Sequence, residues 1–483
     1  MFSVRPEDKW AGLSKPAEAS VAFTLCRVFQ AAAAALSTAV FTRLMSTEEF
    51  GRFTVINSWL PIIMVLTTFG MSGGVFRQSL VKFEDRKDEL AASASGVITV
   101  TILLFYGAYL LMRRQINEAM DLDTLIVTGL FLMSWAKVIF DFWANRKRNE
   151  YDHRPEVLLT MIMTSAELIV GAVAVICTDR YKAEARFLSI AVLSFAVYVR
   201  LFTGFLKKGR FYDKEKWEYY LKLSIPLMPC YLISTVMTQS DRLMIKELTG
   251  VSEAGIYGLG HNLAWMLCLF TGAIIYSLHP WIFKRIKAGE LKAIGGTSYA
   301  VLTAVAFIGL GLVAVTPEAL RIFAPEDYHA AKWVIPPLAV STYFLFMIEL
   351  FTCFAFYFER SLALTVISIT EGLANIVLNY LCIRSFGWIA AGYTTFFCTL
   401  CYAAVHYLYM RHIIKKELDD ARVLSLTVMS GITAAYMVLA AAMMVLYDHV
   451  LLRYGFILLG LVILFFMRDR LMHIVDAIRQ DGK

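Results

Sequence analysis

Stretches of about 20 predominantly apolar residues, enough helix to cross a bilayer, follow one another along nearly the whole of this 483-residue sequence. They exceed the roughly 8–14 residues usual for helices of soluble domains, and no break between them is long enough to hide a soluble domain. Composition agrees: 58% of residues are hydrophobic and only 18% charged, against about 25% charged in soluble domains. The chain therefore reads as an all-α polytopic membrane protein with about 14 transmembrane helices. The expected spans are Ser20–Thr42, Phe53–Phe76, Leu90–Met112, Thr124–Ala144, Glu156–Thr178, Phe187–Leu206 and Tyr220–Leu248. A second set follows: Ala254–Phe283, Ala293–Val315, Val334–Phe358, Leu362–Ile383, Gly387–Met410, Val423–Leu446 and Tyr454–Met467.

Met1–Ala19 is polar, and the first apolar segment carries Arg27, so that segment is expected to remain as a membrane helix rather than be cleaved as a signal. The eight cysteines lie almost all within apolar segments, which argues against a disulfide framework. Cys398 and Cys401 form a CxxC on a spanning helix with no nearby His or second Cys pair, so neither a metal nor any other cofactor is expected. The net charge of +7 does not imply nucleic acid as a partner, because Lys and Arg must first be sorted by side of the membrane.

That sorting is informative. Alternate connections hold Arg77/Lys82/Arg86/Lys87, Arg146/Lys147/Arg148/Arg154, Lys207/Lys208/Arg210/Lys214/Lys216, Lys284/Arg285/Lys287/Lys292 and Arg411/Lys415/Lys416/Arg422. With both termini and Arg360, about 29 basic residues fall on that side and about 11 on the other, which predicts cytoplasmic termini by the positive-inside rule.

The two halves echo each other. Leu44–Phe53 (LMSTEEFGRF) aligns without a gap on Leu248–Tyr257 (LTGVSEAGIY), matching Leu, Glu and Gly, with Phe53 opposite Tyr257. Each is the outer turn between the first two helices of a six-helix unit, so the repeat is parallel, about an axis along the membrane normal. The expected organisation is an N-terminal six-helix lobe over 1–210, a second over 211–415, and two further helices with a cytoplasmic tail over 416–483. Two such lobes facing each other are the layout of a transporter.

The stretch Leu221–Gly260 concentrates the unusual residues. It starts as an apolar span containing Pro226 and Pro229 and ends with Asp241, Arg242, Lys246 and Glu247. A charge inside a spanning helix costs at least about 2.5 kcal/mol, so such residues face protein or a wet cavity rather than lipid. Asp241 and Arg242 therefore mark either a locally paired helix end or an arginine turned towards an anionic substrate.

These residues also carry a resemblance. Ser240–Ile245 (SDRLMI), Gly250 and Ala254–Tyr257 (AGIY) look like the signature region of bacterial oligosaccharide flippases, a family of the multidrug/oligosaccharidyl-lipid/polysaccharide exporter superfamily. Arg43–Gly51 resembles the first outer turn of that family. Ala374–Asn379 (ANIVLN), Phe386–Ala391 (FGWIAA) and Thr394–Thr395 are similar to its eleventh and twelfth helices, and Tyr328 with Pro336–Leu338 to the segment before its tenth. The likeness spans about Ala19 to Met410; the final helix pair departs from the simplest twelve-helix pattern. It implies a multi-pass protein of the bacterial cell membrane that turns a polyprenyl-pyrophosphate-linked oligosaccharide from the cytoplasmic to the outer leaflet by alternating access, for capsule, O-antigen or exopolysaccharide synthesis. A polysaccharide polymerase is a further partner on this reading.

A pyrophosphate suits guanidinium, which stays charged and donates two parallel hydrogen bonds. Arg27 shares a helical face with Ser20, Thr24, Ala31, Ala34 and Thr38; Arg242 shares one with Tyr231, Ser234, Thr235 and Thr238. Arg27, Thr24, Arg242, Lys246 and Thr238 are thus the candidate substrate-binding residues. Lys137 and Asp141, four apart, read first as a structural pair. Glu167, Glu349 and Glu371 also sit within spans without a local cation; with Asp141 they are the candidates for coupling to a proton or sodium gradient. His261 and Asn262 read as structural hydrogen-bonding groups more readily than as sugar contacts.

Three rivals stand beside the flippase. A multidrug exporter of the same superfamily would favour acids rather than Arg27 in its N-terminal cavity. A lipid II flippase would carry a closely similar substrate. A membrane glycosyltransferase or polymerase would use the DxD at Asp121–Asp123, but the outer connections are short for an active site. The chain is accordingly expected to be a transporter and not an enzyme.

Overall fold

The computed structural model describes residues 15–83, 86–150, 152–418, 423–460 and 462. Every element among them is helical: α1 Lys15–Leu44, α2 Thr47–Thr68, α3 Val75–Lys82, α4 Lys87–Leu111, α5 Arg113–Met120, α6 Thr124–Asn149, α7 His153–Ile176 and α8 Lys182–Leu206, then α9 Lys214–Leu248, α10 Val251–Ala288, α11 Leu291–Phe323, α12 Ile335–Tyr357, α13 Ser361–Phe386, α14 Ala390–Glu417 and α15 Leu426–Val445. Short 3-10 turns cover Glu326–Trp333 and Leu446–Asp448. Eleven of the described helices are long and apolar enough to cross a membrane, and Val450–Gly460 is a shorter apolar one. α10 and α14, expected as spans, have the length (38 and 28 residues) but are diluted by His261, Asn262, Lys284 and Arg285, and by His406, Arg411, Lys415 and Lys416. Of the expected last span, Tyr454–Met467, residues 461 and 463–467 lie outside the described residues.

The second expected span needs correcting at its end. Instead of continuing to Phe76, α2 stops at Thr68, where Phe69 (φ 53°) and Gly70 (φ 65°) turn left-handed. Glycine is required at 70 twice over, since the Tyr231 ring lies where a Cβ would be. Asn145 of α6 fixes the turn by donating to the Ser72 carbonyl (3.1 Å) and accepting from Arg77 Nε (3.1 Å).

The chain divides into two compact units, Met1–Ser240 and Asp241–Lys483, so the division falls within α9. In the first unit α6 is the hub, packed by α2, α4, α7 and α8, while α1 lies on α7 and α7 on α8. In the second α12 is the hub, packed by α10, α11, α14 and α15, while α13 lies on α14. Helix for helix the pairing recurs: α2 with α6 as α10 with α12, α4 with α6 as α11 with α12, α6 with α8 as α12 with α14, α7 with α8 as α13 with α14. α15 packs on α11 and α12, and Arg453, 1% exposed, ties the next helix to Glu318 of α11.

Ser46 caps α2 in a capping box, with Glu49 N donating to its hydroxyl (3.2 Å) and its own N–H bonded to Glu49 Oε2 (3.1 Å). At the matching position Gly250 opens α10 with φ 146°, and the Glu253 carboxylate folds into the space a side chain would need. The first turn is thus closed by a reciprocal hydrogen-bonded box, whereas the second has a glycine with positive φ and no side-chain cap.

Burial is uneven. The most apolar stretch of α12 is 89% buried and that of α6 61%, but those of α1 and α9 only 11% and 6%. Few residues of the first helix of each repeat are therefore buried, and the exposed ones on α1 include Thr24, Arg27 and Gln30.

Candidate functional site

In the first unit, Arg27 and Thr24 are exposed on α1. Exposure of a guanidinium on a spanning helix is costly in hydrocarbon, so this face meets water, protein or a polar ligand. Arg27 is not isolated. α1 packs on α7, where Glu156, 2% exposed, accepts from Arg148 Nε at 2.7 Å and also feels the charge of Arg27. Arg148 stands over the Phe23 ring, 5.5 Å from its centroid. Asp141, one helix away on α6, interacts with the charges of Lys137, Arg148 and Arg77. Four cations, Arg27, Arg77, Lys137 and Arg148, are thus gathered around two carboxylates, and three of them, Arg27, Arg77 and Arg148, are exposed.

Sequence reading found Arg27 in this cluster but missed Arg77, Arg148 and Glu156, which it counted only as connection or helix-end residues. Their signal was weak because α6 and α7 are joined by three residues, Glu150–Asp152, a join that brings Arg148 back over Glu156. The expected Lys137–Asp141 ion pair is not formed among the described residues; Asp141 accepts from the Ser72 hydroxyl instead (3.3 Å). That places Asp141 against the broken turn after α2.

In the second unit, Asp241 is the centre of a buried polar node. Its carboxylate accepts from Tyr257 (2.7 Å) on α10, Asn379 (2.6 Å) on α13 and Thr395 (3.3 Å) on α14. Asn379 also donates to Asn375 Oδ1 (3.0 Å) and accepts from Thr394. One residue of α9 thereby bonds three other helices. Neighbouring Arg242 hydrogen-bonds His261 Nδ1 (2.7 Å), whose ring stacks on Trp265 at 5.4 Å. Lys246 pairs with Glu247 (2.8 Å) at the end of α9, and the exposed Thr238 donates to the Thr235 carbonyl (2.8 Å). Arg242 and Lys246 belong to one end of α9 and so lie together; Arg27 and Thr24 lie together in the other unit.

The carboxylates singled out for coupling separate in character. Glu167 on α7 accepts from Ser194 of α8 (3.2 Å). Glu349 is exposed on the mostly buried α12. Glu371 on α13 is partly buried and has no charged partner. Of the DxD, Asp121 ends α5 in a left-handed conformation and Asp123 precedes α6. Among the described residues no group of three or more His, Cys, Asp or Glu is placed to hold a metal ion, and Cys398 and Cys401 are free thiols.

Comparison with known proteins gives a consistent result. The chain is 22% identical over 313 residues to an uncharacterized membrane protein of Haemophilus influenzae, covering 62% of this chain and 74% of that protein. Its fold is similar to that of the lipid II flippase MurJ in an inward closed conformation (TM-score 0.69, 13% identity, 93% of this chain and 100% of that one). It is also similar to a multidrug resistance MATE family transporter of the MOP superfamily, inward-facing (TM-score 0.63, 10% identity, 80% and 95% covered) and outward-facing (TM-score 0.54, 12% identity, 82% and 96% covered). These are the expected all-α exporter fold. The sequence profile described as polysaccharide biosynthesis protein matches residues 19–285, more than half of the chain, and the protein belongs to that family.

Proposed function

We propose that the protein is a flippase that moves a polyprenyl-pyrophosphate-linked oligosaccharide from the cytoplasmic to the outer leaflet by alternating access, supplying capsule, O-antigen or exopolysaccharide synthesis. The observation that carries this reading is the cation-rich cluster around exposed Arg27 on a spanning helix of a polysaccharide biosynthesis family member. A diphosphate needs several donors and a net positive field, and four cations against two acids supply both. Arg27 and Thr24 are assigned to headgroup binding. Arg242, Lys246 and Thr238 are the substrate-binding candidates of the second six-helix lobe (211–415), with less freedom for Arg242 because it is already bonded to His261. The lobes are taken to be 1–210 and 211–415.

The likeness to MurJ supports the neighbouring reading of a lipid II flippase. The likeness to the MATE transporter supports multidrug export less, since an arginine cluster repels organic cations. Native mass spectrometry of the purified protein, offered lipid II, an undecaprenyl-pyrophosphate oligosaccharide and an organic cation in turn, separates the three. Retention of the oligosaccharide lipid is expected; retention of the organic cation alone would overturn the proposal.

The protein is further assigned to the bacterial cell membrane with both termini cytoplasmic, from the basic residues of alternate connections. Single cysteines at Gln115 or Ala330 should react with an impermeant thiol reagent in intact cells, and those at Asn149 or Gly289 should not. The reverse pattern would invert the topology.

A further inference from the structure

Ser368, Glu371, Asn375 and Asn379 follow one another on α13 at spacings of three and four, so they share one face. α13 packs along α14, which carries Thr394, Thr395, Cys398, Tyr402 and His406 at similar spacing. The rows meet at both ends. At one end lie the Asn379, Asn375, Thr394 and Asp241 hydrogen bonds already described. At the other, the Ser368 and Tyr402 hydroxyls share a hydrogen bond of 2.6 Å. The Tyr402 ring stands edge-on to the His406 imidazole, with centroids 4.3 Å apart. Glu371 sits between the ends, close enough to Cys398 and Tyr402 for its charge to act on both. From Ser368 to Asn379 the polar file runs roughly 16 Å at about 1.5 Å per helical residue.

Two independent features point to the proton as its ligand. His406 is only 2% exposed, yet neither ring nitrogen has a hydrogen-bond partner, whereas buried polar groups are nearly always bonded. Glu371 has no ion pair or hydrogen bond among the described residues. The titratable groups around it are Cys398 and Tyr402 of α14, with Glu349 of α12 acting on Tyr402, Asp241 of α9 acting on Cys398, and the His406 ring against Tyr402. None is a lysine or arginine. A metal cation would require several oxygens converging on the carboxylate, and none converges here. A proton requires only one, and its binding removes the cost of an uncompensated charge in the span.

We infer that Glu371 is a proton-binding carboxylate of the second unit. A proton from water adds to a Glu371 carboxylate oxygen, which gains an O–H bond, and it leaves by breaking that same bond. The use of this proton as the energy source for export rests on the transporter reading, but the site itself can be tested without any sugar substrate.

The full chain, reconstituted in liposomes, would be stepped in pH while the infrared band of protonated carboxyl groups is recorded. The wild type should gain that band on acidification, Glu371→Gln should lose that component, and Glu371→Asp should restore it at a shifted pH. Thermal unfolding of each variant, monitored by tryptophan fluorescence, identifies any that fail to fold. An unchanged band in a folded Glu371→Gln protein would overturn the assignment of Glu371, and that result does not bear on which lipid is exported.

Discussion

Replacing Asp241 with alanine should destabilise the second unit more than any other single polar substitution in the membrane spans. The change leaves the Tyr257 hydroxyl, the Asn379 amide and the Thr395 hydroxyl without their acceptor at a position 9% exposed. A buried donor left unsatisfied costs about 1–3 kcal/mol, so the combined loss should be ~3 kcal/mol or more, even though such terms do not add strictly. Asp241→Asn keeps one acceptor oxygen but turns an N–H2 towards groups that donate, and should fall between. The midpoint of thermal unfolding of purified protein reads this directly. A full-length, well-expressed Asp241→Ala protein with an unchanged midpoint would show that the node does not hold α9, α10, α13 and α14 together.

The second large effect concerns Arg27. Losing one charge-assisted contact to a pyrophosphate should cost about 1.5–3 kcal/mol, or roughly 10–150-fold in affinity. Arg27→Ala should bind the lipid-linked oligosaccharide that much more weakly while folding normally, because the side chain is exposed. Arg27→Lys keeps the charge but loses the paired donors, so it should be intermediate. Arg242→Ala should differ in kind: its partner His261 stacks on Trp265, so binding and unfolding midpoint should fall together. Undiminished binding by folded Arg27→Ala protein would remove Arg27 from the site, and an unchanged midpoint for Arg242→Ala would free Arg242 from its structural assignment.

Much of the fold is legible because the bilayer leaves few solutions: long apolar runs must become helices that satisfy their own backbone. The end of α2 was not legible. Thr67 and Thr68 continue an apolar pattern, and only the clustered glycines Gly70, Gly73 and Gly74 hint that the chain turns before Val75. The Glu49 and Glu253 match was visible as an echo, whereas the capping box that Glu49 makes with Ser46 is a matter of geometry.

The candidate site was legible one residue at a time. A lone Arg27 in a span stands out by its cost, but Arg77 and Arg148 look like ordinary positive-inside residues until the packing of α7 on α1 and of α3 on α6 brings them to the same acids. Asp241 was visible as a charge in a span, yet its partners lie 16 to 154 residues away in the chain, and no helical spacing encodes them. Glu371 and His406 are on different helices, and their lack of charged or hydrogen-bonding partners appears only once those helices are packed.

The central claim is transbilayer movement of a lipid-linked oligosaccharide. Its most direct test is reconstitution of the purified protein in liposomes carrying a polyprenyl-pyrophosphate oligosaccharide in the inner leaflet, with appearance at the outer surface followed by an impermeant lectin. The account predicts protein-dependent appearance of intact glycolipid, slowed by Arg27→Ala, with a fluorescent phospholipid left where it was. No protein-dependent appearance, or appearance only of a cleaved or extended sugar chain, would contradict it.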